Sequence, residues 1–220
     1  MMSVTENENM RALRGWLLAL ILCALAVVIS YYWLDRPIAL FVHSQFPRNI
    51  RVLLEPVTDI PNPLIWIATI TFLAFGIRGL AGRPLSKMQT AILLCSASLI
   101  IAETIKSELK FVFGRTWPET WRQNNPSFIH DGVYGFNWFH GGDAYQSFPS
   151  GHITAICAVA SVLWIYYPRR RPIYLIVTLA VLVGLVGNNY HFLSDTIAGT
   201  FVGASTGLMV TNLFARRTFY

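Results

Sequence analysis

The stretch FLSDTIAGTFVGASTGLMVTNLFA (residues 192–215) carries a single charged residue, Asp195. A bilayer core takes roughly 20 apolar residues of helix, so the stretch is long enough to cross a membrane. Gly199, Gly203 and Gly207 recur along it at every fourth position, the small-residue stripe through which membrane helices pack closely. Asp195 stands one turn before Gly199 on that stripe. A helix that packs through its glycines turns Asp195 into the bundle, away from lipid. The competing reading is a helix end at the membrane surface, with Asp195 and nearby His191 merely solvated.

Five more apolar runs precede this one: Trp16–Leu34, Leu64–Ile77, Met88–Ile105, Ile153–Tyr167 and Ile173–Gly187. The composition agrees, with 54% hydrophobic and only 13% charged among 220 residues, where soluble domains carry about 25% charged. The expected fold is all-α, a bundle of six transmembrane helices. They are expected at about 16–34, 64–80, 88–111, 151–167, 172–189 and 192–215, in a single integral-membrane domain over 1–220, with an outer loop at 112–150. The first run exceeds the roughly 7–15 residues of a signal-peptide core and no small-x-small cleavage site follows, so it reads as a retained helix.

The net charge of +6 does not call for a nucleic-acid partner, because the basic residues sit in short connections. Arg11 and Arg14 precede the first span; Arg78, Arg83 and Lys87 lie between the second and third. Arg169, Arg170 and Arg171 lie between the fourth and fifth, and Arg216 and Arg217 follow the sixth. Six spans put all four groups on one side, which the positive-inside rule makes cytoplasmic. Both termini are then cytoplasmic, and the 35–62 and 111–151 segments and the 188–191 turn face outward. In 35–62, prolines 37, 47, 56, 61 and 63 interrupt any long helix, so the segment is expected to lie along the membrane surface. Cys23, Cys95 and Cys157 lack metal-ligand spacing and read as packing residues.

Polar chemistry concentrates on the outer side. The third span ends AETIKSELKFVFGR (102–115), with Glu103, Lys106 and Lys110 on one helical face. Such charges face either a polar cavity or, if the helix protrudes, water. The long loop after it is rich in aromatics, among them Trp117, Trp121, Tyr134 and Trp138, as suits headgroup level. It ends in PSGH (149–152), where the first N–H groups of the fourth span form an anion site. Lys110–Arg115, Ser150–Gly151–His152 and His191 with Asp195 thus fall on one side of the bundle. Cations and free N–H groups make an oxyanion cradle. Two histidines offer a nucleophile and a proton donor, and a carboxylate four residues on can orient one of them. A metal site on His152, His191 and Asp195 is the competing chemistry.

The chain resembles the type 2 phosphatidic acid phosphatase (PAP2) superfamily, whose helical core is shared with vanadium haloperoxidases. The family's three motifs, Lys-x6-Arg-Pro, Pro-Ser-Gly-His and Ser-Arg-x5-His-x3-Asp, are matched by KFVFGRTWP (110–118), PSGH (149–152) and GLVGNNYHFLSD (184–195). The resemblance implies phosphatase chemistry through a phosphohistidine, without metal or other cofactor. It implies His191 as nucleophile, Asp195 as its orienting partner and His152 as proton donor and then base. Lys110, Ser150 and Gly151 would hold the phosphoryl oxygens, with Arg115 beside them. Trp117 stands at the first motif's arginine position, and Gly184 and Leu185 at the third motif's Ser-Arg. Arg122, Asn188 and Asn189 are candidates to compensate. The expected substrate is a lipid phosphate or diphosphate monoester at the outer face of a bacterial inner membrane, with no nucleic acid involved. A lipid phosphotransferase and a weakly active or non-catalytic lipid-phosphate binder are the alternatives.

Overall fold

A computed structural model describes residues 4–47, 54–120 and 124–218, with side chains over 10–47, 54–120 and 124–214. Helix α1 (Val4–Ile29) passes through a π-helical turn (Ser30–Leu34) into α2 (Asp35–Gln45). A single turn, α3 (Glu55–Thr58), precedes α4 (Asn62–Leu80), and α5 (Lys87–Phe113) follows. The long connection after α5 carries a short turn, α6 (Phe128–Asp131), and a 3-10 turn (Asp143–Tyr145) before α7 (Gly151–Tyr166), α8 (Arg171–Gly187) and α9 (Leu193–Thr218). Among the described residues, five helical stretches are long and apolar enough to cross a membrane, and α7 is a shorter apolar helix. The last five expected runs overlie α4, α5, α7, α8 and α9 within a few residues at each end, whereas α1 begins at Val4, well before the expected start at residue 16.

One expectation needs correcting. The chain does not leave the helix at residue 34: helix persists to Gln45, giving a candidate span over Met10–Gln45. Pro37 is tolerated because the turn before it is widened, the Asp35 N–H reaching back five residues to the Ser30 carbonyl. A π turn absorbs the steric and hydrogen-bonding cost that proline imposes on a regular helix. Of the rest of that segment, residues 48–53, including Arg48 and Arg51, lie outside the described residues.

Local signals set the helix ends that matter for the site. Ser86 and Gln89 form a capping box at the start of α5. Gly114 ends α5 in the left-handed region at φ +52°, where a side chain would also collide with the Asn137 carbonyl. At the opposite end of the bundle, Lys87 lies 5.5 Å from the Tyr167 ring centroid, bringing two of the basic connections together.

The bundle is tightest between α7 and α9. A methyl group at Gly199 would fall 2.5 Å from Ile153 Cγ2 and 2.6 Å from the Ser150 carbonyl oxygen. At Gly203 it would fall 2.8 Å from Cys157 Cβ and closer still to the Thr154 carbonyl, and at Gly207 it would fall 2.5 Å from the Ala158 carbonyl. Backbone meets backbone here, and Thr154 Oγ1 donates across to the Gly199 carbonyl at 3.2 Å. The three cysteines are free thiols in helical packing; Cys95 Sγ lies 3.9 Å from the Val159 carbonyl.

Gly203→Ala is therefore expected to destabilise the bundle by about 1–3 kcal/mol, because a rigid carbonyl cannot move aside. Gly76→Ala, with no neighbour within 4 Å, is the matched control and is expected to be neutral or stabilising by up to about 1 kcal/mol. Thermal unfolding of the two variants in detergent reads the difference; equal midpoints would contradict the packing argument.

Candidate active site

Four helix ends meet at one point: the C-termini of α5 and α8 and the N-termini of α7 and α9. Asn189, at φ +54°, turns the chain between α8 and α9 and delivers His191 to the junction. Asp195 sits in the first turn of α9 and accepts the Phe192 N–H at 3.0 Å, half of a capping box. Its carbonyl accepts the Ser150 N–H at 3.0 Å, pinning the start of α7 to the start of α9.

His191 and Asp195 are both buried, at 3% and 0% exposure, so the solvated reading of this pair is overturned. His191 Nδ1 stands 3.5 Å from Asp195 Oδ2. Ser147 Oγ donates to the same carboxylate oxygen at 2.6 Å and lies 3.5 Å from Nδ1. A carboxylate on the Nδ1 edge favours the Nδ1–H tautomer and leaves Nε2 with its lone pair. Burial pushes the His191 pKa below its ordinary value, and Asp195 only partly opposes this, so the ring is neutral at pH 7. Ser147 is a site residue that sequence reasoning missed; it lies three positions before Ser150, with no motif to mark it.

In front of His191 opens a cavity of about 930 Å³. Lys106, Lys110, Trp117, Gly151, His152 and His191 line it, together with Glu55, Asp59, Asp143 and Tyr190. The His152 and His191 ring centroids are 6.5 Å apart across it. Trp117 covers His191 at a centroid distance of 5.1 Å and is anchored by its indole N–H to the Asp143 carbonyl at 2.8 Å. Lys110 lies 5.6 Å from the Trp117 centroid and donates to the Gln146 carbonyl. Lys106 pairs with Glu103 at 2.6 Å, and both line the cavity with Lys110, the polar-cavity arrangement expected for this face of α5. Gly151 has the stem of Lys106 packed over it, 3.1 Å from where a Cβ would stand. Ser150 lies behind it, and its buried hydroxyl has no hydrogen-bond partner among the described residues.

Other expected participants lie elsewhere. Arg115 does not face the cavity: its side chain is 0% exposed and bridges Asp195 Oδ1 at 2.5 Å and Asp35 Oδ2 at 2.8 Å. Burial alone would lower its pKa, but the two carboxylates outweigh this and raise it, so the guanidinium stays charged. The arginine placed beside the phosphoryl site by sequence is thus a buried brace behind it. Asn189 donates to the Ala39 carbonyl at 3.0 Å, away from the cavity wall. Arg122 lies outside the described residues. His140 lines a smaller recess of about 150 Å³ with Lys106, Lys110 and Gln146. Among the described residues no three His, Cys, Asp or Glu side chains converge as a metal-ligand set.

The chain is similar to two lipid A 1-phosphatases. That of Rhizobium johnstonii is 28% identical over 91% of this chain and 82% of its own. That of Rhizobium etli is 27% identical over 91% and 86%. In fold it is similar to a transmembrane PAP2 type phosphatidylglycerolphosphate phosphatase from Bacillus subtilis, with a TM-score of 0.54 and 16% identity over 91% of this chain and 94% of the other. The PAP2 superfamily model matches residues 91–219, from α5 through α9 and across every cavity residue on those helices. On that match, the chain belongs to the PAP2 superfamily.

Proposed function

We propose that the chain is a metal-independent membrane lipid phosphatase. It forms one integral-membrane unit over 1–220 in a bacterial inner membrane, with both termini cytoplasmic and the site outward. The observation that carries the reading is the buried His191–Asp195 pair opening onto a cavity that also holds His152, Lys110 and the first turn of α7. Its relatives' names put a lipid bearing a sugar 1-phosphate first among candidate substrates. Phosphatidic acid, phosphatidylglycerol phosphate and polyprenyl diphosphate are the others.

His191 Nε2 attacks phosphorus and the P–O bond to the lipid breaks, while His152 gives its proton to the leaving oxygen. Water then transfers a proton to His152 and its oxygen attacks phosphorus; the P–N bond breaks and inorganic phosphate leaves with His191 restored. Asp195 holds Nδ1–H throughout and stabilises the charge that develops on the ring, the orienting role of a carboxylate in a triad. The N–H groups opening α7 and the Lys110 ammonium stabilise the phosphoryl oxygens, the geometry that helix N-termini and fixed cations give to anions.

Phosphate release from lipid A 1-phosphate, phosphatidic acid, phosphatidylglycerol phosphate and polyprenyl diphosphate in mixed micelles is the direct test. Turnover of at least one, insensitive to EDTA, blocked by vanadate and abolished in His191→Asn, is expected. Binding without release from any of the four would turn the reading to a non-catalytic lipid-phosphate binder. In pH dependence, kcat/KM requires neutral His191 and falls as pH drops through its folded pKa. Burial sets that value below the ordinary 6.5, so the acid limb is expected below pH 6.5; a limb at or above that value would contradict the assigned environment.

A further inference from the structure

Asp35 is a fully buried carboxylate on a helix that contributes nothing to the cavity wall. The π turn Ser30–Leu34 aims it inward, and such turns gather at functional positions. Its Oδ1 accepts from Ser30 Oγ at 2.8 Å and from the Ser194 N–H at 3.0 Å. Its Oδ2 accepts from Arg115 Nη2 at 2.8 Å and from Ser194 Oγ at 2.5 Å. Arg115 in turn holds Asp195, whose other oxygen faces His191. A row thus runs Asp35, Arg115, Asp195, His191. Tyr31, Tyr134, Phe136 and Phe192 pack around the guanidinium at 4.3–5.3 Å from their centroids, which keeps water out and the local dielectric low.

The charge count gives Asp35 a task. Arg115 with Asp195 alone would form a neutral pair, and a neutralised carboxylate stabilises an imidazolium weakly. A second carboxylate on the far side of the guanidinium leaves the cluster with one net negative charge beside His191. We propose that Asp35 is a positioning residue for the reaction, keeping Arg115 turned and half-neutralised so that Asp195 remains an effective anion for the ring of His191. The inference rests on the reading of His191 as nucleophile.

The other groups around His191 bear on its titration too. They are Lys110 of α5, His152 of α7 and Asp143 of the outer loop, with Glu103 and Lys106 further along α5 and Glu55 and Asp59 across the cavity. None of them is altered by substitution at Asp35, whose carboxylate is separated from the cavity by Arg115 and Asp195.

The test measures phosphate release from lipid A 1-phosphate in mixed micelles for wild type, Asp35→Asn, Asp35→Glu and His191→Asn, with thermal unfolding as a check on folding. Asp35→Asn is expected to lower kcat about tenfold or more at KM within about twofold. It also shifts the acid limb to lower pH by roughly half a unit or more, since a pH unit is a tenfold change in the proton equilibrium. Asp35→Glu keeps the charge and is expected to keep the acid limb in place. A folded Asp35→Asn with wild-type kcat and acid limb would overturn the inference, because a merely structural carboxylate changes stability and not the titration of the nucleophile. Should Asp35→Asn not fold, Ser194→Ala removes hydrogen bonds from both Asp35 and Arg115 without changing charge. It is expected to lower kcat at least about threefold at unchanged KM, and an unchanged kcat would equally overturn the inference. Activity persisting in His191→Asn would refute the nucleophile reading itself; loss there with a normal Asp35→Asn would refute only the role of Asp35.

Discussion

A guanidinium held between two carboxylates in an apolar interior is the interaction on which the rest of the site depends. Arg115 binds Asp35 from the first helical stretch and Asp195 from the last, with no exposed surface on any of the three side chains. Removing one partner from such a cluster leaves a buried charge uncompensated, a loss of about 3–5 kcal/mol. The cluster therefore makes placement of the Asp195 carboxylate beside His191 inseparable from the docking of α1 and α2 against α9. Ser194 strengthens this by giving both its N–H and its hydroxyl to Asp35.

The second constraint is backbone approach. The α7 and α9 helices come close enough for carbonyl oxygens of α7 to lie where side chains of α9 would begin. Glycine at 199, 203 and 207 is what permits it, and the same contact continues at its upper end to the cavity. There the Ser150 N–H meets the Asp195 carbonyl, so the start of α7 and the Asp195 carboxylate of α9 are fixed relative to each other by the packing of two helices. The site is thus built from rigid helix ends, with the long loop supplying Trp117, Asp143 and Ser147 as cover.

How much of this was legible in the sequence follows from the range of each signal. The spans, PSGH and the four-residue spacing of His191 and Asp195 are local patterns, and the glycine stripe was enough to turn Asp195 inward. Asp35 was not legible. It sits at the end of an apolar run and two residues before a proline, which together read as a helix stopping at a surface. Its partners Arg115 and Ser194 lie 80 and 159 residues away. Arg115 was assigned to the phosphoryl site because it neighbours Lys110 in sequence. However, α5 ends at Gly114 and the left-handed turn there sends the next residue behind the site instead of into it. Ser147 carries no periodic or motif signal, and only the fold brings it to Asp195.

Trp117 has a different consequence. The chain places an indole, not a cation, seven residues after Lys110, directly against the ring of His191. Arg115 is committed to carboxylates and Lys106 to Glu103, so under the proposed phosphatase reading the positive potential for a phosphoryl group rests on Lys110 and the N-terminus of α7. Lys110 is correspondingly constrained, by the Gln146 carbonyl on one side and the face of Trp117 on another. A cation against an aromatic face that is shielded from water gains up to about 2 kcal/mol, and the indole also keeps water from one side of His191. Where a guanidinium would hold phosphate by charge, this arrangement orients one ammonium and lowers the dielectric around it, which under the proposed reading would strengthen each remaining electrostatic contact with a bound phosphoryl group.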